Sequence, residues 1–442
     1  MEILIKAAQF ILSLSFLVIL HELGHFIPAK LFKTRVEKFY LFFDPYFSLV
    51  KKKIGGTEYG IGWLPLGGYV KIAGMIDESM DTEQMKKDPE PWEFRSKPAW
   101  QRLIIMVGGV TVNVILAILI YSMILYTWGT ENVETKDAKY GIEASQYAES
   151  FGLKDGDHIL KVDGEYINSI QDINYELVIG GAKFLEIDRH GETMTIDVPS
   201  DLTKTVIEDK KKGELVSIAV PFFVGEVVGG GLADKHNLQK GDRMVAINNT
   251  HTLSSPAFQS EMVKFKGQEI DLLIERDGKM LQEHIQLGDD AKLGIISDNK
   301  LGRYFNVSIK QYGFLESLPA GYDLTVSTLG KYVDQVKLIF NPETEAYKHL
   351  GGFLTMGKQM SPTWDWYRFW NFTAFLSIVL AFMNILPIPA LDGGHVMFLL
   401  YEVFTGRKPH EKIMEYAQMA GIIFLLGLML LANGNDIVGL FN

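Results

Sequence analysis

The sequence predicts a polytopic α-helical membrane protein of four transmembrane helices, with two β-rich domains outside the bilayer and a membrane-associated β-loop. Three observations carry this. Four stretches are apolar over about the 20 residues that a helix needs to cross a bilayer. Between the second and third, glycine-punctuated alternating runs replace them. An apolar loop after the first is too rich in Gly and Pro to be a span.

Composition sets the frame. Of 442 residues, 22% are charged and the net charge is -11. Glycine included, the apolar share is about 57%, above the roughly 45–50% of soluble domains. A disordered chain is excluded, and the acidic balance argues against a nucleic-acid partner, which needs clustered positive charge. With no cysteine there is no disulfide framework, thiol nucleophile or Cys-type zinc site. A mean hydropathy of +0.08 averages over very unequal segments.

The N-terminal membrane part is expected over residues 1–128. Its first span runs from about 3 to 32 and contains His21-Glu22-Leu23-Gly24-His25. Lys6 before an apolar run could open a signal peptide, but no small-residue cleavage site follows. The loop region covers about 33–102, and the second span, about 103–128, carries no charge. The C-terminal membrane part, 367–442, holds a third span (about 369–391) and a fourth (about 414–431). Trp364, Trp366, Tyr367 and Trp370 form an aromatic belt before the third. The turn-like Ala432-Asn433-Gly434-Asn435 is expected to end the fourth.

Short-loop cations give the orientation. Lys51, Lys52, Lys53, Lys71, Lys86, Lys87, Arg95, Lys97 and Arg102 lie between spans one and two. Arg407, Lys408 and Lys412 lie between spans three and four, and the C-terminal tail has none. The positive-inside bias therefore places both loops in the cytoplasm, with both termini and the long central segment outside.

That central segment repeats itself. Leu153-Lys154-Asp155-Gly156-Asp157 and its following strand recur as Leu238-Gln239-Lys240-Gly241-Asp242. Glu186-Ile187-Asp188-Arg189 parallels Leu273-Ile274-Glu275-Arg276. Each copy reads as a turn, a strand and a hairpin. The copies resemble tandem bacterial PDZ domains over 129–205 and 218–290. A PDZ domain adds an extended peptide to a sheet edge, and Val224-Gly225-Glu226-Val227-Val228 is the candidate groove of the second; either copy could equally be a spacer. Residues 291–366 are expected to add a strand over 301–310 and an amphipathic helix over 314–340, lying on the membrane or packed on the bundle.

The chemistry sits inside the membrane. Residues i and i+4 share a helix face, so His21 and His25 can bind one zinc ion while Glu22 serves a nearby water as general base. Ionisable groups in a span are costly unless coordinated or paired. A hydrogen-bonded core cluster is the plain alternative. A catalytic zinc needs a third protein ligand, and without cysteine that is His, Asp or Glu. Asp392, following Pro387 and Pro389 at the cytoplasmic end of span three, is the best candidate. Its plain reading is an Asp-Gly turn leaving the membrane. His395 is the weaker ligand candidate, read as a supporting residue.

HELGH in span one, Asn384-Ile385-Leu386-Pro387-Ile388-Pro389-Ala390-Leu391-Asp392-Gly393-Gly394-His395 in span three and the tandem repeat together resemble site-2 proteases of the RseP type. These are zinc intramembrane proteases of bacterial inner membranes. The resemblance implies a Zn2+ cofactor held by His21, His25 and Asp392, Glu22 as catalytic glutamate, and Asn384 as a substrate-holding amide. It implies that the apolar loop containing Leu66, Gly67, Gly68 and Tyr69 is a substrate-pairing β-loop. Implied partners are the lipid bilayer and single-pass membrane substrates, such as a trimmed anti-sigma factor and remnant signal peptides. Termini and PDZ domains would be periplasmic, with the zinc site toward the cytoplasm. The chain departs from the family pattern in having Val110 and Phe353 where prolines are usual. A rival reading, a non-enzymatic PDZ adaptor with a structural metal, leaves Glu22 without a purpose.

Overall fold

The computed structural model describes residues 2–75, 88–132, 138, 140–167, 169–208, 214–298 and 308–441. Lys86, Lys87 and positions 301–307 of the expected strand lie outside the described residues. The chain forms two compact units, one of residues 1–129, 311–340 and 347–442, the other of 130–310 and 341–346.

The first unit is helical except for one sheet. Its elements are α1 (Glu2–Leu31), β1 (Val36–Ile54), β2 (Thr57–Ile72), α2 (Ala99–Trp128), α3 (Phe314–Phe340), α4 (Phe353–Lys358), α5 (Trp366–Ile385), α6 (Asp392–Thr405) and α7 (Glu411–Phe441). Among the described residues α1, α2, α5 and α7 are long and apolar enough to cross a membrane. α1 runs unbroken through His21 to His25, because Pro28 is the only proline it contains. α5 stops at Ile385, and the chain stays non-helical through Pro387 and Pro389 until α6 begins at Asp392.

The apolar loop is the second half of a folded hairpin. Residues 36–41 of β1 pair with 68–72 of β2, residues 38–43 also pair with 58–64, and 48–54 pair with 57–62. The long strands thus double into a four-segment sheet whose outer segments are 68–72 and 48–54. Tyr40, Tyr69 and Phe43 stack on its face at centroid distances of 5.3 and 6.0 Å.

α3 packs on the bundle. Tyr332 meets Phe375 and Phe382 edge-on, while Leu324 and Leu329 join the core of Ala117, Ile120, Tyr121 and Ile378. The expected turn at Ala432–Asn435 does not form, and α7 continues to Phe441. Its polar residues are used side-on instead. Asn433 Oδ1 accepts from Phe353 N–H at 3.3 Å, and Asp436 accepts from the Leu354 and Thr355 amides at 2.9 and 3.1 Å. These are N-terminal helix donors with no partner inside α4, and a carboxylate there also suits the helix dipole.

The second unit contains two β-rich modules, each with its own core. The first orders β3 (His158–Val162), β4 (Glu165–Tyr166), β5 (Phe184–Arg189) and β6 (Glu192–Asp197) as β4-β3-β5-β6. The second has β7 (Phe222–Val227), β8 (Arg243–Ile247), β9 (Glu269–Arg276), β10 (Lys279–Gln286) and β11 (Ile295–Ser297), ordered β10-β9-β8-β7-β11. The repeated motif has a structural cause. Asp157, 1% exposed, takes two bonds of 2.7 Å from Arg189, and Asp242 takes two of 2.6 Å from Arg276. Each aspartate also accepts the amide that opens its turn, Lys154 or Gln239, at 2.7 Å.

Val224–Val227 is not an open groove edge. β7 is paired on both sides, with β8 through Phe222 and Phe223 and with β11 through Val224 to Val227. The chain's own later strand occupies the position assigned to a peptide, and β11 is the sheet's outer strand.

Removing Arg189 leaves Asp157 buried without its counter-charge, which costs about 3–5 kcal/mol. Arg189→Ala is therefore expected to speed hydrogen exchange of the Leu185 and Ile187 amides about 100-fold or more, at 1.4 kcal/mol per tenfold. Amides of Leu272 and Ile274 in the other core keep their protection.

Candidate metal centre

The site begins with two helix backbones in contact. A Cβ on Gly24 would lie 2.7 Å from the Gly108 carbonyl carbon and 2.8 Å from Gly109 Cα. Small residues on both helices permit this approach, a common device between apolar helices. It brings Ile105, Gly109 and Asn113, one helical turn apart on α2, against His25 and His21 on α1.

Each imidazole then turns one nitrogen toward α2. His25 Nδ1 stands 2.8 Å from the Ile105 carbonyl oxygen, an acceptor only, so Nδ1 carries the proton and Nε2 presents its lone pair. His21 Nδ1 stands 3.2 Å from the Asn113 side-chain amide. Gly109 leaves room for the rings, since a Cβ there would sit 2.6 Å from His21 Cε1 and 2.8 Å from its Nδ1.

Asp392 arrives from the first turn of α6. The two Nε2 atoms are 3.3 Å apart, and Asp392 Oδ2 lies 3.4 Å from His21 Nε2 and 3.3 Å from His25 Nε2. That Oδ2 is buried and makes no properly directed hydrogen bond. Three ligands about 2.0–2.1 Å from a common centre at tetrahedral angles stand about 3.3–3.4 Å apart, so the triangle fits zinc. Among the described residues this is the one such cluster of His, Asp and Glu, and His395, half-buried nearby in sequence, is not part of it.

Other expected site residues divide. Glu22 is half-buried, and the Val70 backbone N–H of β2 lies close to it. Asn384 Nδ2 reaches to 3.4 Å from His21 Nε2. A Cβ on Gly68 would press on Val18 at 2.6 Å and on the Tyr40 carbonyl oxygen at 2.7 Å, and would just touch Glu22 Cγ at 3.7 Å, so the outer 68–72 segment runs beside Glu22. Gly67, at φ 147°, faces the Phe43 ring. The Leu66 side chain lies outside the described residues. Tyr69 points elsewhere: its hydroxyl donates to Asp44 at 2.8 Å, and burial with that carboxylate pushes the phenol above its ordinary range. Its side chain holds the sheet together rather than reaching the centre.

Sequence reading missed two contributors. Val70 meets Glu22 through its backbone, which leaves no residue-type signal. Asn113, fully buried in a mostly apolar stretch of α2, had one, since a polar side chain there needs a partner.

Residues 9–428 match the profile of peptidase family M50. The chain is 28% identical to Protease RseP of Yersinia pestis over 99% of both chains. It is 27% identical to the Regulator of sigma E protease of Haemophilus influenzae over the whole of both. A Rickettsia conorii protein whose name describes a zinc metalloprotease is 27% identical over 98% of both.

A methyl group at position 109 forces both imidazoles from the triangle. Gly109→Ala is expected to weaken zinc binding by about tenfold or more, in the range seen when a ligand's supporting contacts are lost. Equilibrium competition with a chelator on the purified protein measures it.

Proposed function

Since this chain belongs to peptidase family M50 and is a zinc metalloprotease, we propose that it hydrolyses peptide bonds within the membrane-spanning segments of single-pass membrane proteins. The observation that carries the proposal is a zinc-spaced His21–His25–Asp392 triangle between helices apolar enough to cross a bilayer, with Glu22 beside it.

His21, His25 and Asp392 would hold the zinc. When bound, the ion supplies a Lewis acid that polarises a carbonyl and acidifies water. Glu22 takes the proton of the attacking water and later delivers it to the leaving amine.

A helical substrate hides its amides, so its backbone must be opened first. The 68–72 edge of the sheet offers unpaired strand groups for an extended segment, by strand addition. Gly68, without a side chain, lets that segment come within reach of Glu22. Asn384, whose amide both donates and accepts, holds the opened backbone at the triangle.

The basic loops support a zinc site toward the cytoplasm of a bacterial inner membrane, with both termini and the β-rich unit in the periplasm. That unit would act as a PDZ pair excluding bulky ectodomains, so substrates arrive already trimmed. An anti-sigma factor remnant and leftover signal peptides are substrates of that kind, in keeping with the sigma E regulator among the relatives.

Glu22→Gln keeps the zinc ligands and removes the proton acceptor. Cleavage of a model transmembrane substrate in liposomes is expected to fall by about 100-fold to 10,000-fold at full zinc occupancy. Equal cleavage by both proteins, or none by either, would falsify the reading.

A further inference from the structure

A zinc-ligating imidazole needs a proton on the ring nitrogen that faces away from the metal, and an acceptor for it. For His25 the acceptor is plain, the Ile105 carbonyl. For His21 the neighbouring atom is drawn as Asn113 Nδ2, at 3.2 Å from Nδ1. An amide NH2 facing Nδ1 would make Nδ1 the acceptor and put the proton on Nε2. That proton would then point into the triangle, 3.3 Å from His25 Nε2 and 3.4 Å from Asp392 Oδ2, where it would exclude a cation.

Asn113 shows a second conflict that shares this cause. The residue is fully buried, and its Oδ1 has no hydrogen-bond partner. A buried amide oxygen left unpaired costs about 1–3 kcal/mol. The oxygen and nitrogen of an amide occupy nearly equivalent places, and their assignment follows from the hydrogen bonds available. Turning the amide by 180° puts Oδ1 toward Nδ1–H, gives the oxygen a donor and frees the Nε2 lone pair.

We infer that Asn113 is a positioning residue for the metal centre: its side-chain oxygen accepts the His21 Nδ1–H and thereby fixes the tautomer and ring orientation that His21 needs to bind zinc. The backbone at this position is itself held, because Ser377 Oγ on α5 donates to the Asn113 carbonyl at 2.8 Å. The acceptor for His21 is thus built into the α2–α5 contact, as the acceptor for His25 is built into the backbone of α2. This inference rests on the assignment of His21, His25 and Asp392 as the zinc ligands.

The test uses the full-length protein in detergent, with zinc affinity read by chelator competition and folding by melting of the zinc-free protein. Asn113→Leu keeps the volume and removes the acceptor, whereas Asn113→Asp keeps an acceptor and removes the donor. Expected is a loss of zinc affinity of about 10-fold to 100-fold for Asn113→Leu with unchanged zinc-free melting. Asn113→Asp is expected to bind zinc within threefold of wild type or more tightly. Wild-type affinity in Asn113→Leu overturns the inference, and so does an equal loss in both variants. Should Asn113→Leu fail to fold, Asn113→Asp decides alone, a tenfold loss counting against. His21→Ala separates the two levels: zinc retained at wild-type affinity there sinks the ligand assignment. Zinc lost in His21→Ala yet held in Asn113→Leu sinks only the role of Asn113.

Discussion

Everything at the centre depends on how closely α1 approaches α2. Gly24 and Gly108 let the two backbones touch, and that distance decides what the imidazoles meet. With one side chain between them, the Ile105 carbonyl would not reach His25 Nδ1, nor the Asn113 side chain His21 Nδ1. The glycine in HELGH therefore serves helix packing, while its two histidines, His21 and His25, are the proposed metal ligands. In an apolar surrounding this matters more than in water, because neither imidazole nor carboxylate has solvent to fall back on.

The same contact joins elements far apart in sequence. In the proposed centre α1 would supply two ligand atoms and α6 the third, while α2 supplies the groups that face the imidazoles. β2 comes against α1 through Gly68, so Glu22 lies beside a strand that also offers a free edge. In the proposed reaction the proton acceptor and the pairing edge are thus neighbours, and a substrate pairing along 68–72 would lie beside Glu22.

Residue type and spacing made the chemical core legible. His21 and His25 are four apart on a helix, Asp392 follows two prolines that stop one, and no cysteine competes for the role. What stayed hidden was carried by backbone or by tertiary pairing. Val70 meets Glu22 through an amide that every residue but proline has. The β7 segment looked like an open edge because the partner strand, Ile295–Ser297, lies 68 residues beyond Val227 and carries no motif. Tyr69 looked like a site residue by belonging to the right loop, yet strand alternation turns its ring onto Tyr40 and Phe43. Ala432 to Asn435 read as a turn because Asn and Gly favour turns in water. Here they lie on a helix flank, facing the unpaired amides of α4.

That last case explains one departure from the family pattern. A proline at the first position of a helix has no N–H to satisfy, which suits a site where that donor has no partner. Phe353 stands at that position and restores the N–H. Asn433 Oδ1 accepts it at 3.3 Å, while Asp436 takes the next two amides. The helix start is thus capped from α7 rather than pre-set by a ring, and α7 must stay helical through Gly434 to do so. The missing proline and the unexpectedly long last helix are two sides of one arrangement.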